Sequence, residues 1–277
     1  MDDFRARVRA VLDVRADAAP WTQDDARLPD RGLLIVELVV VLMLTLGRSG
    51  LYAFVNLVAA ATAPGGLSSQ TTALHRSFAP DRPWLDLTYQ LMSIFFGVVP
   101  IALAGYLLVR SGTSLRQVWF HGAGPRDVGL GTGLAAAVGS VGLAFYLMMH
   151  AWGLNLTVVA DGLDTEVWWK IPVLVLSALE NALLEEFVVL GYVLVRLRQI
   201  GLGQWAAIGW AAGLRGSYHL YQGIGGFVGN FVMGLLFGWL YRRWGRVTPL
   251  VITHFLLDVG AFVGYAVLAG NVSWLPT

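Results

Sequence analysis

Long apolar runs separated by short polar connections dominate the chain, and their lengths fix the kind of structure they can build. A helix that crosses a bilayer needs roughly 20 mostly apolar residues. Stretches of that kind lie near 32–62, 87–109, 127–152, 168–195, 204–220, 224–241 and 247–270. They predict an all-α, polytopic membrane helix bundle of about seven transmembrane helices with short loops. The first and fourth stretches exceed one span, which predicts tilt, or a first segment broken near Arg48, Ser49 and Gly50. In the sixth, Gly226, Asn230, Gly234 and Gly238 recur at steps of four beside Gly225 and Gly229, so one face invites close approach by another helix. No pair of matched Gly/Pro-broken segments suggests two transporter halves.

Composition agrees with a lipid environment. Of the 277 residues 56% are hydrophobic and 13% charged, with 11 Trp, and mean hydropathy is +0.63. A water-soluble surface does not absorb that balance. A net charge of +1 argues against a nucleic-acid partner, and the absence of cysteine excludes disulfides, thiolate metal sites and a Cys nucleophile. Cytoplasmic loops of membrane proteins collect Lys and Arg. With the N-terminus inside and the C-terminus out, Arg5, Arg7, Arg9, Arg15, Arg27, Arg31, Arg110, Arg116, Arg126, Arg196, Arg198, Arg242, Arg243 and Arg246 become cytoplasmic, against Arg76, Arg82 and Lys170 outside. Arg48 and Arg215 remain within segments. Trp168, Trp169, Trp205, Trp244 and Trp274 sit near segment ends, as interfacial aromatics do. Residues 1–31 lack a signal-peptide pattern; Phe4, Val8, Val11 and Leu12 among arginines read as a basic amphipathic cytoplasmic helix or as a solvated tail. The remainder, 32–277, reads as one transmembrane domain.

Ionisable residues inside spans are costly and face a protein interior or a wet cavity, which makes each a functional candidate. The fourth stretch carries Glu180, Asn181, Glu185 and Glu186, the fifth Arg215 and His219, the seventh His254 and Asp258. His254 and Asp258 are one helical turn apart, as are Arg215 and His219, so each pair can point into one cavity. Glu185 and Glu186 differ by about 100° around a helix, so one is expected to be chemical and the other supporting. Glu185 lies roughly 16 Å from the Arg196 end and Asp258 roughly 18 Å from Arg246, nearer the cytoplasmic side; His219 comes out deeper, on the order of 24 Å. Glu37 and Glu180 stand alone and read as packing or interfacial. Tyr218, Tyr221 and Gln222 read as interfacial, and Asn181 as a hydrogen-bond partner of Glu185.

The run EEFVVLG, RGSYH about thirty residues on, and HFLLD further along resemble the CAAX protease and bacteriocin-processing (CPBP, or Abi) family, which contains the type II CAAX prenyl endopeptidases. The resemblance covers about 165–270 and follows the pattern EExxxR, FxxxH and HxxxN or HxxxD. It implies an intramembrane endopeptidase with Glu185 as catalytic base and His219, His254 and Asp258 in the second and third motifs. Two positions depart from it: Leu190 stands at the Arg of EExxxR and Arg215 at the Phe of FxxxH. We expect Arg215 to supply from the neighbouring helix the cation that Leu190 does not.

Amide hydrolysis needs an activated water, a proton for the leaving amine and oxyanion stabilisation. Glu185 and His219 are candidates for holding the water, with Glu186 supporting; His254 is the candidate donor to the tetrahedral oxygen, and Asp258 its orienting partner. No cofactor is the expected state, with zinc on Glu185, His219, His254 and Asp258 as the alternative. The partners implied are the bilayer and a membrane peptide or protein, prenylated if the eukaryotic relatives are a guide. The expected location is integral to a bacterial-type plasma membrane. A proton-coupled transporter using the same groups as a relay, and a non-proteolytic scaffold or immunity protein, stay open as alternatives.

Overall fold

The computed structural model describes residues 28–159, 162–163, 167–268 and 271–272. The amphipathic helix expected in 1–31 lies almost wholly outside them, as does Trp274. Helix α1 (Arg31–Leu44) opens on Asp30, whose carboxylate accepts from the Leu33 amide and so satisfies one of the first-turn donors. Helix α2 (Leu46–Thr62) follows after a 53° bend at Thr45. The break falls just before the expected Arg48–Gly50, and two residues explain the position. The Thr45 hydroxyl donates to the Val41 carbonyl at 2.7 Å, a back-bond that bends helices. Gly47 lets the Leu42 carbonyl turn inward, since a Cβ there would sit 2.7 Å from its oxygen.

Helix α3 (Pro83–Arg110) starts on a proline, whose missing N–H costs nothing in a first turn. Its buried Asp86 accepts from the amides of Phe78 and Ala79 and ties down the preceding loop. The short α4 (Leu115–Val118) and the long α5 (Arg126–Ala151) come next. Helix α6 (Lys170–Glu185) runs without a gap into a π-helical stretch, Glu186–Leu194, and then into α7 (Val195–Gln199). Helix α8 (Gln204–Ser217) ends in a 3-10 turn at Leu220–Gln222; α9 (Ile224–Trp244) and α10 (Thr248–Leu268) complete the bundle. The all-α expectation is modified by two three-residue strands, β1 (Thr71–Ala73) and β2 (Thr157–Val159), paired in parallel with Thr71 opposite Thr157.

Among the described residues α3, α5, α9 and α10 are each long and apolar enough to cross a membrane, and the bent pair α1–α2 adds a fifth candidate. The expected fourth and fifth stretches fall short as single α-helices. The fourth changes helix type at the Glu pair, and the fifth has only 14 residues before the chain turns. Large apolar side chains such as Val36, Leu44, Phe95, Phe96, Val141 and Val232 face outward. Such a surface suits lipid, and these helices make the chain an integral membrane protein.

Connections gather at two ends. At one, Phe120 bridges to Arg246, and Arg246 forks onto Asp127 at 2.7 Å; this basic end also holds the helix-terminal Arg110, Arg126, Arg198, Arg242 and Arg243. At the other, β1 pairs with β2, Arg76 bridges to Gly162 and Asn155 to Gly223. The main apolar core lies toward the basic end, built from Leu108, Trp119, Phe187, Val188, Leu190, Leu194, Phe237, Tyr241 and Leu250. A smaller cluster around Trp169, Val173, Leu174 and Phe262 lies toward the other.

Two assignments at helix ends change. Trp168 and Trp205 are exposed as expected of interfacial aromatics, but Trp169 and Trp244 are buried in these cores. Arg196, expected in a cytoplasmic loop, is fully buried; it donates to Glu37 at 2.8 Å, to Ser111 and Gln199, and to the Leu107 carbonyl. Glu37, which also accepts from the Tyr192 hydroxyl, is therefore a packing residue, and it pins α1 against the π-helical segment and α7. The glycine face of α9 receives α8 as expected: a Cβ at Gly234 would lie 2.8 Å from the Ala212 backbone, and one at Gly238 2.9 Å from Ile208.

Candidate active site

Glu185 closes α6 and Glu186 opens the π-helical stretch, and both carboxylates are buried. Wide π turns recur at functional sites because they redirect side chains. The two carboxylates diverge, as their spacing required. Glu186 Oε1 accepts from Arg215 Nη2 and faces His254 Nδ1 at 2.8 Å. Glu185 Oε2 accepts from the Tyr218 hydroxyl at 2.6 Å and lies 3.7 Å from Arg215 Nη1. The fully buried Arg215 guanidinium thus sits between the two, 5.3 Å over the Phe237 ring. Leu190 packs in the apolar core, so the cation beside Glu186 comes from α8.

His219 lies beyond the end of α8 rather than one turn along it, because the helix stops at Ser217. Its Nδ1 is 2.9 Å from the Arg215 carbonyl. A carbonyl only accepts, so Nδ1 carries the proton and Nε2 keeps a lone pair while the ring is neutral. The same reasoning gives His254 its Nδ1–H, donated to Glu186, with Nε2 3.6 Å from Asp258 Oδ2. Asn181 donates to Asp258 at 2.8 Å across the α6–α10 interface, and not to Glu185 as expected. Neither imidazole bonds directly to Glu185.

The early stop of α8 shapes the space above these groups. At 1.5 Å per residue α8 rises about 21 Å while α3 rises about 42 Å, so the turn carrying His219, Tyr221 and Gln222 forms the floor of a well. A polar cavity of about 370 Å³ fills it, walled by Glu180, Asn181 and Asp258 and roofed by His75 and Arg76. An apolar groove of about 710 Å³ between α5, α9 and α10 meets this cavity at His219, Gln222, Asp258 and Phe262. Gly139, Gly142, Gly225 and Gly229 line it, leaving backbone where side chains would fill the space.

The structure brings Glu185, Glu186, Arg215, His219, His254, Asp258 and Asn181 into one network. Sequence reasoning missed Tyr218, which is buried against Glu185, and the part of Tyr221 and Gln222 in lining the cavity. The signal for Tyr218 was its place three residues after Arg215, on the same helical face. Glu180, read as packing or interfacial, lines the cavity opposite Gly97, where a Cβ would run into its carboxyl group. A catalytic zinc takes three protein ligands at about 2.0–2.2 Å. Among the described residues no group of three His, Asp or Glu side chains is placed to hold one ion.

Residues 167–260 match the family model described as type II CAAX prenyl endopeptidase Rce1-like. The match runs from just before α6 into α10 and includes each motif residue of the network. Comparison with curated proteins and with solved structures gave no match.

Proposed function

We infer that the chain, which over residues 167–260 belongs to the Rce1-like family of type II CAAX prenyl endopeptidases, hydrolyses a peptide bond inside the membrane with Glu185 as the base. The observation that supports the reading is that buried Glu185 accepts from Tyr218 and lies 3.7 Å from Arg215, in a network whose His219 and Asp258 line the polar cavity. A structural carboxylate needs a partner, but it does not need an adjoining polar cavity of about 370 Å³ with an imidazole and a second carboxylate on its wall.

In this mechanism a water lies between Glu185 and His219 Nε2. Glu185 takes one of its protons as the water oxygen bonds to the carbonyl carbon, and passes that proton to the amine nitrogen as the C–N bond breaks. His254, anchored through Nδ1 to Glu186, presents Nε2 to the tetrahedral oxygen and, as the imidazolium, donates to it; Asp258 Oδ2 lies 3.6 Å from that nitrogen and helps to orient it. Glu186 does not react. Its carboxylate fixes His254 and Arg215, and Arg215 in turn limits the repulsion between the paired acids. No step in this mechanism calls on a metal.

The apolar groove gives this reaction a place for an apolar part of the substrate, a side chain or a lipid chain, beside the scissile bond. The test is purified protein in detergent with prenylated and unmodified peptide libraries. Cleavage is expected and Glu185→Gln abolishes it while leaving the thermal melt intact. Proton flux in liposomes without cleavage of any peptide would replace this reading with a relay.

A further inference from the structure

The Glu185–His254 network lies nearer the basic end by helix count, yet the space above it opens the other way. Every residue from Phe187 to Val195 is buried, and with Trp119, Phe237, Tyr241 and Leu250 they fill the bundle between the carboxylates and the basic end. No polar cavity side chain comes from that side. The lining instead comes from the far ends of the helices. Gln90 and Ser93 lie within three turns of the α3 start, Ser177 and Glu180 in the first two-thirds of α6, and Phe262 late in α10. The roof, His75 and Arg76, belongs to the connection that pairs through β1 with β2. These loops carry Arg76, Arg82 and Lys170, whereas the opposite connections and helix ends carry Arg110, Arg116, Arg126, Arg198, Arg242, Arg243 and Arg246. Cation excess marks the cytoplasmic side of a membrane protein.

We propose that water and the scissile bond reach Glu185 from the loop-roofed end, which the cation distribution makes the extracytoplasmic one, so that the substrates are peptide segments presented at that face of the membrane. Entry from the basic end would require displacing close-packed apolar side chains, whereas the well already has polar side chains at its roof, walls and floor, from Arg76 through Glu180 and Asn181 to His219 and Gln222. The groove between α5, α9 and α10 joins the well at its floor, so a segment held in the lipid could place its apolar part there while its backbone enters from above. The route rests on packing alone; calling its user a substrate rests on the peptidase reading.

The absence of cysteine makes the route directly testable in the full-length chain. Single variants R76C at the roof, Q222C at the floor and R116C at the basic end are probed with a membrane-impermeant maleimide on intact cells. R76C and Q222C are expected to label without permeabilisation and R116C only after it; Q222C labelling that follows R116C overturns the proposal. Sealed proteoliposomes, scored for orientation with R116C, are then given an impermeant quenched peptide that detergent-solubilised protein cleaves. Cleavage in proportion to vesicles with the Arg76 end outward supports the route, and cleavage in proportion to the reverse population overturns it. If nothing is cleaved even in detergent the peptidase reading fails, and the Q222C pattern alone still supports or overturns the route.

Discussion

Replacing Arg215 by Leu probes the centre of the network, because one buried guanidinium serves both carboxylates. In the variant Glu186 keeps only His254, and its Oε2 already has no hydrogen-bond partner. Glu185 keeps Tyr218. Breaking a buried ion pair from one side costs about 3–5 kcal/mol, since the remaining charge stays desolvated. At about 2–4 °C per kcal/mol for a chain of this size, the melting temperature should fall by roughly 6–20 °C. Tryptophan fluorescence of the detergent-purified protein reads the transition. Two second-site changes separate pairing from volume. E186Q in the R215L background removes the stranded carboxylate and should restore about 1–3 kcal/mol. L190R in the same background returns a cation one turn from Glu186 on its own helix and should recover part of both stability and activity. An R215L variant within about 1 kcal/mol of the parent, or an L190R/R215L variant no better than R215L alone, would refute the exchange of positions.

Tyr218→Phe deletes one donor to Glu185; hydrogen bonds to charged groups are worth about 1.5–3 kcal/mol, so kcat should drop about 10- to 150-fold with KM little changed, and an unaltered kcat would remove Tyr218 from the base's support. Gly191→Ala forces a methyl into the Trp119 indole, which donates to the Gly191 carbonyl; overpacking of this kind costs about 1–3 kcal/mol, and a melt identical to the parent's would show that the ring can move aside. Prolonged dialysis against a strong chelator should leave cleavage intact, whereas loss of activity restored by zinc would contradict the metal-free mechanism.

Much of the site was legible because charges in apolar segments are few and each has to be accounted for. Glu185, Glu186, His219, His254 and Asp258 stand out against their neighbours, and the i,i+4 spacing of His254 and Asp258 survives in the folded helix. What the sequence hid depends on where helices stop. The fifth stretch reads as apolar through Leu220, yet α8 ends at Ser217; this shifts His219 off the helix, buries Tyr218 and opens the well. Arg196 reads as a loop cation because charge alone does not reveal that Glu37, distant in sequence, waits for it. Asn181 reads as a neighbour of Glu185 because helical periodicity reports contacts along one helix and not across to α10. The bend at Thr45 was expected three residues later, where Arg48 draws attention; the hydroxyl back-bond that causes it is silent in a hydropathy profile.

The wide turns between Glu186 and Leu194 act as a phase setting along one continuous rod. Upstream of them the rod presents acid to the well; downstream it presents Arg196 to Glu37 and Ser111. Excising a single residue within the stretch would turn everything beyond it by about 100°, swinging that arginine from its partners while leaving Glu185 untouched. Chemistry at one end and anchorage at the other are thus geared together by a local excess of chain, and insertions or deletions there should be far less tolerable than substitutions.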